Sequence, residues 1–266
     1  MKTLNLCLLI VTTIFIFSCK KDKVAVCRIS QVIFDNNAAK TATFSYDENG
    51  RPTDIIAKDQ STRYIFTYSG LTGKVEFRDV TTNALYGSVN LTFDGNGRLK
   101  SYEEFYVPAS DTLRYFYQFE YNAEGYLFRN IQTLTGGVYN TYYCDSLIYS
   151  NGNVVKMYTK LKNGTNYVVT DYEYSSELNT EWNYFFSLYS AGEPFSILSG
   201  YYNLEPLLGK PTKNLPSKIT TSGSYSEVHD FTYIFDASKK VTEYTQVRNY
   251  NSSVSTYNFK LSYACN

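Results

Sequence analysis

Phe44-Ser-Tyr-Asp-Glu-Asn-Gly-Arg51 has four relatives further along the chain: Leu91-Thr-Phe-Asp-Gly-Asn-Gly-Arg-Leu99, Phe119-Glu-Tyr-Asn-Ala-Glu-Gly-Tyr-Leu127, Leu147-Ile-Tyr-Ser-Asn-Gly-Asn-Val154 and Tyr233-Ile-Phe-Asp-Ala-Ser-Lys-Lys-Val241. Two large apolar residues stand two apart, so they share one face of a strand. The Asp, Asn or Ser that follows can accept a bond from the backbone two residues on. Gly50, Gly97 and Gly125 supply the positive φ that closes a hairpin. Leu99, Leu127 and Val241 restart the apolar face on the return strand. Each unit is a β-hairpin that buries its aromatic face only by stacking on its neighbours.

Phe66-Thr-Tyr68, Tyr172-Glu-Tyr174 and the half copy Phe259-Lys-Leu-Ser-Tyr263 extend the series. Anchored on the second aromatic, the copies recur every 22 to 28 residues, with one gap of 61 between Tyr174 and Phe235. The composition agrees: Tyr 28 and Phe 17 against Trp 1 and Met 2 suit a pleated surface with one wet side. The reading is all-β, an antiparallel meander of repeated hairpins with about 14 strands, forming one strongly curved sheet or an open barrel. A membrane-spanning barrel is the rival. Polar outer positions such as Thr43, Ser45, Thr92 and Glu120 argue against it, because a spanning strand needs an apolar outer band.

Tyr46-Asp-Glu-Asn-Gly-Arg51 and Phe93-Asp-Gly-Asn-Gly-Arg-Leu99 resemble the tyrosine-aspartate repeat of RHS proteins, and look still more like uncharacterised Bacteroidota lipoproteins built from such repeats. Lys213-Asn-Leu-Pro-Ser-Lys-Ile219 is similar to a segment of those proteins. The resemblance covers most of residues 28–264 and implies a fold, with no activity attached. The long array and fused toxin of true RHS proteins have no counterpart in this chain.

Residues 1–18 read as a signal peptide: Lys2 leads an apolar stretch from Leu4 to Phe17 that is too short to span a membrane. Ile16-Phe-Ser-Cys19 resembles a bacterial lipobox, with Cys19 as the lipidated first residue, residues 19–26 as tether and 27–266 as a single β domain. Bulky Phe17 departs from the commonest lipobox form. The tether Lys20-Lys-Asp-Lys23 resembles outer-membrane sorting and holds one acid, which leaves the periplasmic and surface leaflets both open.

The long gap is an insertion, residues 176–214. Trp182, Phe185, Phe186 and Tyr189 fall at helical spacing, so a partly helical element is expected there. It either plugs the apolar face of the sheet or lines a pocket; apolar stripes usually make core. If a ligand site exists, its residues are Trp182, Tyr184, Tyr189, Tyr201 and Tyr202, rings that stack on sugars or apolar groups and still offer hydrogen bonds.

Catalytic patterns are sparse. His229 is the only histidine and reads as a strand residue with a structural or solvent-facing role. No metal-ligand spacing occurs, and the calcium-like turn at Asp94 fails because Phe105 stands where the bidentate Glu belongs. No phosphate-binding loop is present, so no cofactor is expected. Glu103-Glu104 is the kind of carboxylate pair a glycosidase uses, and one that arises by chance in any β protein. From Cys19 on the chain carries 24 basic and 25 acidic groups, which argues against nucleic acid. Cys27, Cys144 and Cys265 remain after the signal and the lipid. Cys27 and Cys265 pair if the sheet curls until its ends meet; otherwise they stay reduced. Thr112 and Ser146, in Asp-Thr-Leu and Asp-Ser-Leu, resemble O-glycosylation acceptors of exported Bacteroidota proteins and are expected where strands open. The functional reading is a non-catalytic, lipid-anchored outer-membrane protein that binds a glycan, a peptide or an envelope protein. A carboxylate-dependent glycan hydrolase and a periplasmic carrier of an apolar ligand are the alternatives.

Overall fold

A computed structural model describes residues 27–106, 114–135, 141–161, 167–179, 207–223 and 225–265. Sixteen strands follow in order: β1 Cys27–Phe34, β2 Asn37–Tyr46, β3 Pro52–Ile56, β4 Thr62–Ser69, β5 Thr72–Asp79, β6 Leu85–Phe93, β7 Leu99–Tyr106 and β8 Arg114–Tyr121. The second half comprises β9 Leu127–Thr135, β10 Thr141–Ser150, β11 Asn153–Leu161, β12 Tyr167–Leu178, β13 Asn214–Ser222, β14 Glu227–Phe235, β15 Val241–Tyr250 and β16 Ser253–Cys265. Every strand pairs antiparallel with its sequence neighbours, and β1 pairs with β16. The barrel is closed, with 16 strands where the repeats lead one to expect about 14 and an open edge. No α-helix occurs among the described residues, and the helical spacing from Trp182 to Tyr189 lies outside them.

Closure has a local cause. In five hairpins one extra residue stands near the start of the return strand: Thr53, Lys100, Phe128, Val155 and Thr242 have no cross-strand partner in the hairpin. Each such β-bulge bends its strand and adds right-handed twist. Repeated around the sheet, the bend brings β1 onto β16, and Cys27 faces Cys265 in the register. A disulfide joins these two cysteines.

The bulges also make alternate strand pairs diverge at the turn end. The last β7–β8 pair is Ser101–Gln118, so the Leu99 carbonyl has no ladder partner. Tyr121 Oη donates to it at 2.6 Å. The same stitch recurs from Tyr46 to Ile29, Tyr68 to Pro52, Tyr149 to Leu127, Tyr233 to Pro216 and Tyr263 to Val241, at 2.6–2.8 Å. Phe93 lacks the hydroxyl, and there the ladder needs no stitch. β5 and β6 stay paired through Thr72–Thr92, and Phe93 N donates to the Leu71 carbonyl.

Alternate residues of each strand are shut from water. Phe44, Phe66, Leu91, Phe93, Phe119, Leu147, Tyr172 and Leu261 are 1–7% exposed, as the aromatic spacing requires. Tyr46, Tyr68, Tyr121, Tyr149, Tyr174, Tyr233, Phe235 and Tyr263 on the same face are half-buried at the rim. In a closed single-layer barrel this face is the lumen. The opposite face carries ion pairs on many strands: Asp54–Arg63, Glu76 with Lys74 and Arg78, Glu103–Arg114, Glu120–Arg129, Lys156–Asp171 and Glu243–Lys260. A membrane-spanning barrel has the reverse pattern, an apolar band outside and a wet lumen.

Two measurements check the fold. Tyr121→Phe leaves a part-buried carbonyl unpaired and should cost about 1–3 kcal/mol in denaturant unfolding, with a native-like far-UV spectrum. Replacing Cys27 and Cys265 together by Ala should lower stability by about 2–4 kcal/mol, since the bridge closes a very long loop. An unchanged midpoint in either variant contradicts the corresponding role.

Candidate functional site

The barrel has two unlike ends. One bears the repeat turns, both ends of the described chain and the insertion. The other bears the remaining hairpin loops and a polar patch of lumen.

At the first end the turns at Asp47, Asp94 and Asp236 fold on their own acid. Asp94 Oδ1 accepts from the amides of Asn96 and Arg98, both at 2.9 Å, and Oδ2 accepts from Arg98 Nε at 2.8 Å and Nη2 at 2.6 Å. Asp47 with Asn49 and Arg51 repeats this arrangement. Burial pushes the Asp94 carboxyl up, but Arg98 and the two amides outweigh it and hold the group below the usual carboxylate range. The basic residue that ends a turn then covers the tyrosine of the next. The Arg98 guanidinium lies 4.3 Å from the Tyr121 ring, Arg51 lies 4.1 Å from Tyr68, and Lys240 lies 5.3 Å from Tyr263. Charge, ring and carbonyl thus form one chain of contacts around the rim.

The returning end of the insertion is laid across two of these turns. Lys210 N donates to the Gly125 carbonyl at 3.1 Å and Lys213 N to the Gly152 carbonyl at 2.9 Å. Asn214 N donates to Asn153 Oδ1 at 2.8 Å, and the two side-chain amides meet at 3.0 Å. Leu207, Leu208 and Leu215 enter the main apolar core. This part of the insertion is a plug. Only glycine fits at 209: φ is +85°, and a Cβ there would lie 2.6 Å from the Gly125 carbonyl oxygen. Between the Asp94 turn, the Gly125 turn and the crossing segment lies a hollow of about 380 Å³, lined by Asn96, Gly97, Arg98, Gly125, Leu207, Gly209 and Lys210.

At the other end, lumen positions on β9 to β15 turn polar. Asp145 Oδ1 accepts from Thr159 Oγ1 at 2.6 Å and Oδ2 from Asn130 Nδ2 at 3.2 Å. Thr170 and Thr221 hydroxyls meet at 3.3 Å. His229 lies 2.6 Å from Gln246 Nε2 through Nδ1 and 3.2 Å from Glu227 Oε1 through Nε2, and Arg248 Nε reaches the same Glu227 oxygen. Burial raises the Asp145 pKa against the pull of Thr159 and Asn130. Burial, then the Arg248 charge, lowers that of His229 to about 4, so the imidazole is neutral at pH 7. His229 is 0% exposed and Asp145 9%. These groups are packed against one another and present no open face to a substrate, although His229 Nε2 and Asn130 Oδ1 make no hydrogen bond among the described residues.

Of the expected site residues, Cys19, Thr112, Trp182, Tyr184, Tyr189, Tyr201 and Tyr202 lie outside the described residues. Ser146 sits in the middle of β10, not at a strand opening, and the acid of its motif, Asp145, is spent in the lumen. Glu103 and Glu104 are adjacent on β7 and so face opposite sides: Glu103 pairs with Arg114 outside and Glu104 is 1% exposed inside. Cys144 is a buried free thiol. No cluster of three metal-ligating side chains occurs among the described residues. Sequence reasoning missed the hollow and the polar lumen. The first depends on where the insertion returns, and the second on bulges that turn Asn130, not Arg129, inward.

No protein-family profile matches the chain, and no curated protein does. Among solved structures it is similar to a porin-like protein from Bacteroides uniformis, with TM-score 0.61, 17% identity, 89% of this chain covered and 96% of the other. It is similar also to a porin-like protein from Bacteroides vulgatus, with TM-score 0.59, 14% identity, and 89% and 98% covered. At this identity the likeness is one of fold.

His229 gives a pH signature. Its folded pKa lies below the unfolded value, so the unfolded chain binds the extra proton between pH 6.5 and about 4. Stability from this group is therefore present above pH 6.5 and falls as pH drops through that window. The difference in unfolding free energy between wild type and His229→Gln should change across this window and be flat above it. A pH-independent difference contradicts a buried neutral imidazole.

Proposed function

We propose that the protein is a non-catalytic cell-envelope lipoprotein of the outer membrane, in which a water-excluding barrel is hung from a lipid on Cys19 and binds a glycan, peptide or envelope partner. The observation that carries this reading is the sidedness of the barrel wall. Charged pairs stand on the outer face of many strands, where a lysine or arginine at mid-membrane would cost about 2–4 kcal/mol. A barrel with that exterior belongs in water, so its hold on a membrane comes from the N-terminal lipid. β1 begins at Cys27, eight residues after Cys19, and a fully extended tether of that length spans about 28 Å at most. The insertion end of the barrel is then the end nearest the membrane.

Binding is assigned to that same end, where the insertion supplies Trp182, Tyr184, Tyr189, Tyr201 and Tyr202 and the described hollow lies beside them in sequence. Carriage of an apolar ligand inside the barrel fits poorly, because its aromatic lining is nearly inaccessible. A hydrolase using Glu103 and Glu104 fits poorly as well, because the two carboxylates lie on opposite faces of the wall.

Cys19→Ser should abolish labelling by a palmitate analogue and move the folded protein into the soluble envelope fraction. A variant that stays in membranes after a salt and carbonate wash contradicts lipid anchoring and returns the barrel to the bilayer.

A further inference from the structure

The hollow at the insertion end has a chemistry that repeat packing does not explain. Asp94 engages Nε and Nη2 of Arg98, the paired edge of the guanidinium that grips a carboxylate. Nη1 is left facing Gly125, where a Cβ would lie 3.5 Å from it and 3.7 Å from Lys210 Cε. Two cations from separate chain segments therefore converge over a glycine floor, and any side chain at 125 would fill the space between them. Lys210 Nζ lies 5.5 Å from the Tyr126 ring and has no carboxylate within ion-pair distance among the described residues. The only other acid on the flanking Asn122–Tyr126 turn is Glu124, which is exposed. The equivalent turn at Asp47–Arg51 has the same internal contacts, but there the Arg28 guanidinium itself occupies the space beside Gly50.

We propose that this hollow is an oxyanion site for a phosphate group, gripped between Arg98 Nη1 and Lys210 Nζ. Asp94 takes the Nε–Nη2 edge of the guanidinium, so a ligand meets only the hydrogens left on Nη1 and Nη2. What remains is the Nη1–Nη2 end of the guanidinium and one ammonium, approaching from different directions. That pair suits a tetrahedral anion, whose oxygens point several ways. The volume of about 380 Å³ admits a phosphate with a small organic group attached. The phosphate comes either from a soluble ester or from a lipid headgroup, since the hollow opens at the end where the tether leaves the barrel. The inference rests on the binding function proposed above and names the ligand class of its insertion end.

The test is calorimetric titration of the full-length lipidated protein in detergent with glycerol 3-phosphate, with glucuronate and glucose as comparisons. A second arm measures co-sedimentation of the protein with phosphatidylcholine vesicles that do or do not contain phosphatidic acid. Wild type should bind glycerol 3-phosphate or prefer the phosphatidic acid vesicles, and the arm that responds identifies the source. Lys210→Gln should weaken that binding about tenfold. Lys213→Gln, an exposed lysine on the same segment but outside the hollow, should leave it unchanged. Equal loss in both variants reduces the effect to surface charge and overturns the site. Binding of glucuronate or glucose without glycerol 3-phosphate overturns the phosphate assignment and leaves the binding function standing. No response to any probe in either arm overturns the site.

Discussion

The stitch from a tyrosine hydroxyl to the carbonyl of the preceding return strand is the interaction on which the rest of this barrel depends. A sheet closes into a barrel only if its strands bend and tilt. Here the bend comes from one unpaired residue in each of five hairpins, such as Lys100 and Phe128. Unpaired residues at Ser30 and Ser217 bend β1 and β13 in the same way, and beside most of these bends a carbonyl is left without its ladder partner. Tyr46, Tyr68, Tyr121, Tyr149, Tyr233 and Tyr263 restore the missing bond from within the barrel. Burial raises the Tyr121 pKa well above the ordinary phenol value, so the hydroxyl remains a donor at any pH the protein meets. Two strands depart from the pattern: the Tyr174 hydroxyl makes no hydrogen bond among the described residues, and at Phe93 the ladder runs to its end, where Gly73 lets the chains close up with no room for a Cβ beside the Thr67 carbonyl.

From that arrangement the sidedness of the wall follows. The stitched tyrosines and the deeper aromatics share the inner face, which leaves the outer face to charged pairs among scattered exposed apolar side chains such as Phe116, Ile148 and Ile234. Arg51 and Arg98 fit the same scheme, since each covers the outer side of the next tyrosine while its acid fixes the turn. The outcome is a closed barrel whose polarity is the reverse of a membrane-spanning one. Likeness in shape to porin-like proteins therefore sits alongside an interior that excludes water and an exterior that seeks it.

Much of this was legible in the chain. The aromatic-x-aromatic spacing defines the inner face, and Phe44, Leu91, Phe119 and Leu261 lie where that spacing puts them. The Asp-x-x-Gly turns bond as their residue types require. Closure was legible only through Cys27 and Cys265, which pair if the ends of the sheet meet; nothing else in β1 or β16 announces its partner across the whole sequence. The count of 16 was missed for a related reason: β1 and β13 lack the repeat signature, although Lys213-Asn-Leu-Pro-Ser-Lys-Ile219 proves to be a working part of the barrel. In it Asn214 laces the insertion to the Asn153 turn, Leu215 fills the core and the Pro216 carbonyl receives Tyr233. The polar lumen escaped because strict alternation from Leu127 points Arg129 inward, whereas the bulge points Asn130 there, beside Asp145.

The central claim is that the wall of this closed barrel faces water. Nitroxides on single cysteines at Thr67, Thr92, Glu173 and Lys260, spread over β4, β6, β12 and β16, report it directly in the lipidated protein bound to vesicles. Each label should relax readily with a water-soluble nickel chelate and only weakly with oxygen, at every one of the four positions. Labels that oxygen reaches and nickel does not would place those strands against lipid chains, and the barrel would be a membrane-spanning one after all.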